Sequence, residues 1–142
     1  MLNGNTAHKL INMQMKVFDL DTARETLVVI KPIVEEIKTK RMELTEAYER
    51  LQEEQDPLER MYLESHIRDL EALIDSLFRK IEALGGVIKG IDPILVDFLS
   101  FHKNRYIWLC WKEDEDTIMY WHELNEGFAG RKPISLLEED VL

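Results

Sequence analysis

The sequence holds a single cysteine, Cys110, among its 142 residues. One thiol cannot build an internal disulfide framework, and such usage suits a reducing compartment. Long apolar runs are missing as well. No stretch approaches the roughly 18–20 consecutive apolar residues that a membrane-crossing helix needs. The opening MLNGNTAHKLINMQMK lacks a charged segment followed by an apolar one, and lacks a small-residue cleavage site, which disfavours secretion. The expected location is cytoplasmic. Positive charge is scarce: 18 Lys and Arg face 28 Asp and Glu, for a formal net charge of −10. Affinity for nucleic acid comes largely from cations that displace counterions at phosphates, so DNA and RNA are excluded as principal partners. Anionic membrane surfaces are disfavoured for the same reason. The chain also has no phosphate-cradling Gly-rich loop, no Cys-x-x-Cys pair, no His-Glu-x-x-His and no Ser nucleophile elbow.

What is present describes a folded chain. With 45% hydrophobic and 32% charged residues, it is too apolar for a disordered protein and has the length of one ordinary domain. Residues 1–17 read as a polar, flexible leader, in which Met13 and Met15 are alternative translation starts. Residues 18–135 form the domain, divided into a helical part (18–84) and a β-ribbon with loops (85–135), and residues 136–142 form an acidic, loosely held tail. The leader carries +2, the helical part −7 and the remainder −5, so the acidity lies mostly on the solvated outside of helices.

From Phe18 to Leu84 the helical period dominates. Asp19 is placed to cap a first helix, with Phe18 as the apolar residue that fixes the entry of the chain. Leu27, Ile30, Val34, Ile37, Leu44, Tyr48 and Leu51 then follow at heptad-like spacing, interrupted by Arg41. Pro32 predicts a kink or a late start to the regular helix. Asp56-Pro57-Leu58-Glu59 reads as a second start, with Asp as cap, Pro at the first helical position and Glu59 completing a capping box. Leu63, Leu70, Leu77 and Leu84 repeat every seven residues, with Ile67, Ile74 and Ile81 between them, before Gly85 and Gly86 stop the helix. The short break predicts an antiparallel two-helix hairpin, coiled-coil-like, each helix about 40–50 Å long at 1.5 Å per residue. Leu73 and Phe78 widen the apolar face. Either the C-terminal third of the chain covers them or a second copy does, and a homodimer through the helices is expected.

After Gly86 the composition changes: eight of the twelve aromatic residues fall between Phe98 and Phe128. Residues 105–112 and 117–122 are β-branched and aromatic runs flanking Glu113-Asp114-Glu115-Asp116, which predicts a β-hairpin with a solvated acidic tip. Val87 to Lys89 can add a short strand, and the helices are expected to cover one side of the ribbon. The fold class is therefore α+β, mainly α: a long helical hairpin with a small antiparallel sheet packed on it.

Leu109-Cys110-Trp111-Lys112, Glu115, Tyr120-Trp121-His122-Glu123 and Gly127-Phe128-Ala129-Gly130-Arg131 with Pro133-Ile134 together resemble a family of small prokaryotic proteins, the domain of unknown function family numbered 2203. Val96-Asp97-Phe98 and Phe18-Asp-Leu-Asp-Thr-Ala23 fit the same pattern, so the likeness covers roughly residues 17–135. Asp114, Asp116 and Leu99 stand where such proteins usually carry Gly or Pro, so the hairpin tip and the approach to Asp97 are expected to differ locally from that pattern. The resemblance implies the architecture above and brings no activity with it.

The polar residues among the aromatics carry whatever chemistry there is. Asp97, His122 and Glu126 form a candidate divalent transition-metal site, since imidazole plus two carboxylates suits zinc, iron, manganese or nickel. Cys110 is a weaker fourth candidate. A two- or four-residue tip would pair it with Met119 and Ile107 with His122, placing Cys110 and His122 on opposite faces, and only an odd loop or a bulge would unite them. Against the metal site stand plainer roles: Cys110 as a small core residue, an Asp97–Arg131 ion pair, and His122 donating to a backbone carbonyl. Two functional readings follow. The first is a non-enzymatic structural module, or one that binds a partner protein. The second is a metal-binding protein, extending to a metal-dependent hydrolase, with Glu126 as third ligand or general base.

Overall fold

A computed structural model describes residues 15–139. Most of the expected leader, residues 1–14, and residues 140–142 of the expected tail lie outside the described residues. Two long helices come first, α1 (Leu20–Glu53) and α2 (Pro57–Ala83). Five strands follow: β1 (Val87–Ile91), β2 (Ile94–His102), β3 (Arg105–Lys112), β4 (Tyr120–Glu123) and β5 (Lys132–Pro133). A short 3₁₀ turn, Phe128–Gly130, precedes β5, and a short helix α3 (Ile134–Glu139) ends the described chain.

The ends of the helices follow local chemistry. The Thr22 amide donates to Asp19 Oδ1 at 2.7 Å and the Asp19 amide donates back to Thr22 Oγ1 at 3.1 Å, a reciprocal cap. Phe18 before it is 2% exposed and meets Phe98 edge to face at 5.2 Å. At α2, Asp56 accepts from the Glu59 amide at 3.3 Å, while the Asp56 amide donates to Glu54 rather than to Glu59. The capping box thus belongs to α1, and α2 has a simple cap. Behind α2, the Gly86 amide donates to the Ile81 carbonyl and the Gly85 amide to the Glu82 carbonyl, with Gly85 at φ 103°. This is the left-handed C-terminal closure that favours glycine. A Cβ on Gly85 would also lie 2.7 Å from the Phe18 ring.

The heptad reading holds over Leu27, Ile30, Val34 and Ile37, which are all buried. It then drifts: Ala47 is buried while Tyr48 is 44% exposed and reaches Glu71 instead. A 3.6-residue helix that does not supercoil slides off a strict seven-residue repeat in this way. Pro32 does not delay the helix, which runs through it from Leu20 to Glu53. The donor that Pro32 cannot supply is the one owed to the Val28 carbonyl, on a turn whose Val28 side chain is exposed and where water can serve instead. Leu73 and Phe78 pack against the core of their own chain, so they do not by themselves require a second copy.

The sheet is an antiparallel meander in the order β1-β2-β3-β4-β5. It is larger than the expected ribbon, and its longest strand, β2, occupies a segment for which no strand is expected from the sequence. Ile94, Val96 and Phe98 on β2, Ile107, Leu109 and Trp111 on β3, and Trp121 on β4 join the helices in the core. The β2–β3 turn places Lys103 and Asn104 at φ 50° and 60°, the twist-matched two-residue hairpin. Part of the segment read as a loose tail forms α3, whose Ile134 and Leu137 are buried.

The acidic tip is only half solvated. Glu113 is 6% exposed, accepts the Ile94 amide at 2.6 Å, and lies 3.5 Å from Arg41 and 3.8 Å from Lys38. Arg41, the residue that interrupts the heptad stripe, also donates to the Ile91 carbonyl. It joins hairpin to sheet. Glu115 pairs with Arg131 at 2.5 Å, whereas Asp114 and Asp116 face outward.

Candidate metal centre

Side chains alternate along a strand, and residues directly opposite each other in an antiparallel pair share a face. Asp97 pairs with Cys110, Cys110 with Tyr120, and Trp108 with His122. Asp97, Cys110 and His122 therefore lie together on the face turned away from the helices. The register expected for an even-length tip is not adopted. Seven residues, 113–119, separate β3 from β4, and this odd count brings Cys110 and His122 to one side. The cause is tertiary: the Glu113 amide donates to the Ile94 carbonyl at 2.9 Å and its carboxylate takes the Ile94 amide, drawing Glu113 out of the solvated turn.

One ligating atom each from Asp97, Cys110 and His122 lies within 4.8 Å of the others, and all three residues are buried. His122 Nε2 meets Asp97 Oδ2 at 2.8 Å, and His122 Nδ1 meets the Glu123 carbonyl at 2.9 Å. Both ring nitrogens thus face acceptors. A neutral imidazole carries one N–H, so only the imidazolium can donate to both. The surroundings favour that form: burial works against the charged ring, but the hydrogen bond and charge of Asp97 outweigh it and raise the His122 pKa above its ordinary value. Asp97 Oδ1, buried beside this pair, has no hydrogen-bond partner among the described residues.

Cys110 is 1% exposed. Burial first, and then the negative charge of Asp97, push its thiol far above the usual range. A thiol held neutral in this way is a poor nucleophile. Nor does His122 serve it as a base, because its two nitrogens are already committed to Asp97 and Glu123. Thiol–imidazole nucleophilic chemistry is not what this arrangement offers. A metal ion changes the balance, since coordination deprotonates a thiol outright and replaces the imidazolium proton. Around a tetrahedral ion with bonds of about 2.0–2.3 Å, ligand atoms stand about 3.3–3.7 Å apart. The Asp97–His122 pair needs to open by only about half an ångström to reach that spacing.

The cluster lies at the wall of a cavity of about 240 Å³, lined also by Lys89, Leu95, Glu126, Gly127 and Phe128. Glu126 is thus near the site but outside the close group of ligating atoms. Its Oε1 takes the Lys132 ammonium at 2.7 Å and the Glu123 amide at 3.1 Å, and the Lys132 contact is the leading cause that holds its pKa below the usual carboxylate value. The expected Asp97–Arg131 pair does not form. Arg131 goes to Glu115 and stacks on Tyr120 and Phe128, with its guanidinium carbon 4.1 and 4.7 Å from their ring centres.

The family model described as an uncharacterized conserved protein, DUF2203, matches residues 16–134. The chain belongs to this family. No curated protein and no solved structure matches it. Every residue of the centre falls within the matched DUF2203 span. Sequence reasoning missed Lys89, Leu95 and Phe128 as cavity residues. Lys89 sits where the β1–β2 register shifts between Ile88 and Gly90, an irregularity that re-aims a side chain and that alternation alone does not reveal. Among the described residues, no helix is long and apolar enough to cross a membrane.

Proposed function

We propose that this protein binds a divalent transition metal through Asp97, Cys110 and His122, with a further coordination position open to the adjoining cavity. One observation carries the reading: three buried residues of thiol, imidazole and carboxylate type converge within 4.8 Å, and among the described residues one carboxylate oxygen of the three has no hydrogen-bond partner. Burying a polar oxygen without compensation costs on the order of 1–3 kcal/mol, and ligation removes that cost. One soft and two harder donors suit zinc or iron better than magnesium or calcium. Three protein ligands beside an open position are the pattern of catalytic rather than structural zinc sites. Glu126 is then a group across the cavity, available to a metal-bound water, rather than a ligand.

The test is elemental analysis of protein purified without a histidine tag and loaded with zinc or ferrous iron. A stoichiometric ion that is removed by a chelator and absent from His122→Ala is expected. Failure of every ion to reach stoichiometry overturns the reading. The exposed Leu58, Met61 and Tyr62 at the start of α2 favour a second reading, a non-enzymatic module that engages a partner protein or a second copy through the helical hairpin.

A further inference from the structure

Resting on the metal-binding reading, we infer that the cavity takes a small monocarboxylate, one oxygen filling the open position on the ion and the other meeting the Lys89 ammonium. The volume of about 240 Å³ is that of about eight waters at about 30 Å³ each, which is more than a metal-bound water requires. Lys89 lines this space and rests on the Trp108 ring, its nitrogen 4.3 Å from the ring centre. Among the described residues it makes no ion pair, while Arg131 beside the centre is taken by Glu115 and Lys132 by Glu126. An ammonium held over an aromatic ring and left without a carboxylate is prepared for an anion from solution.

Charge selects the class of anion. A divalent ion with the Asp97 carboxylate, the Cys110 thiolate and a neutral His122 sums to zero, and Glu126 is offset by Lys132. Lys89 then leaves a single positive charge, which matches a monoanion better than a phosphate dianion. Leu95 and Phe128 supply apolar wall, which suits a carboxylate on a short hydrocarbon body.

Cobalt(II) serves as the probe, because its visible spectrum reports both its entry and any change of its ligands. Saturable uptake of Co²⁺ reads the metal centre alone, and its absence overturns both the centre and the carboxylate site. With Co²⁺ bound, titration with acetate and then butanoate is expected to change the spectrum saturably, with butanoate binding more tightly than acetate and acetate more tightly than phosphate. Lys89→Met should keep its Co²⁺ affinity within about twofold and lose carboxylate affinity about tenfold, the share of one charge-assisted hydrogen bond. Lys89→Arg should restore most of it. Unaltered carboxylate affinity in Lys89→Met, or equal binding by metal-free protein, overturns the carboxylate site while leaving the metal centre standing.

Discussion

The two faces of the sheet are both buried, and they are buried in opposite ways. On the helix side, Val96, Phe98, Leu109, Trp111 and Trp121 meet the apolar stripes of α1 and α2. That burial is favourable wherever side chains fill space without polar atoms, at about 25 cal/mol for each Å² removed from water. On the other side, the same strands bury Asp97 at 1% exposure and His122 at 2%. Those groups must find partners inside, and among the described residues Asp97 Oδ1 finds no hydrogen-bond partner. A buried ion pair is often no more stable than an apolar pair of similar volume. The first face therefore explains why the chain folds. The second is a burden on folding, which the proposed metal centre would account for.

Substitutions separate the two faces. Phe98→Ala on the helix side deletes a fully buried ring that also packs edge to face on Phe18, and should cost about 3–5 kcal/mol in urea unfolding. Metal affinity measured on the folded fraction should be unaffected. On the other face His122→Leu strands the Asp97 carboxylate and should cost about 3 kcal/mol, the low end for a broken buried pair. Adding Asp97→Val should then return the unfolding free energy to within about 1 kcal/mol of the parent, or above it, while metal uptake is lost. If the double substitution is as unstable as the single one, the outer face is structural and the contrast between the faces disappears.

Features set by neighbours in sequence were legible, and features set by distant ones were not. The Phe18-Asp19 entry and the Gly85-Gly86 exit are local, needing only a side chain that can reach an amide and a residue that tolerates positive φ. The apolar stripe of α2 was readable because one face of one helix repeats. Strand β2 was not, because Ile94-Leu-Val-Asp-Phe-Leu-Ser is buried on both faces and so shows no alternation. Asp97 and His122, singled out from residue type as metal candidates, lie in contact at 2.8 Å. The place of Cys110 turned on the parity of the tip. That parity depends on Glu113 bonding Ile94, nineteen positions away in sequence, and no local pattern encodes it.

The smallest expected effect is the sharpest in sign, because it runs in opposite directions with and without metal. In metal-free protein the His122 pKa is raised, through the Asp97 contact that outweighs burial and the nearby Lys89 charge. A group whose folded pKa lies above its unfolded value of about 6.5 stabilises fully below that pH and loses the contribution as pH rises through the folded pKa. Metal-free stability should therefore decline as the solution is taken from about pH 6.5 toward 9, through His122 first and, above about pH 8, also through the Cys110 thiol, which stays protonated in the fold where an unfolded thiol ionises. His122→Gln should flatten the decline below about pH 8. Glu123 and Glu126, whose pKa values are lowered by Arg105 and Lys132, are already ionised in this range and add no slope. Zinc-loaded protein should show the reverse, since the ion must displace protons from His122 and from the Cys110 thiol and so binds more tightly as pH rises. Thermal melts of both forms across this range, at fixed free zinc, should give slopes of opposite sign. Parallel slopes would mean that zinc does not compete with these protons, and the ligands assigned to it would be wrong.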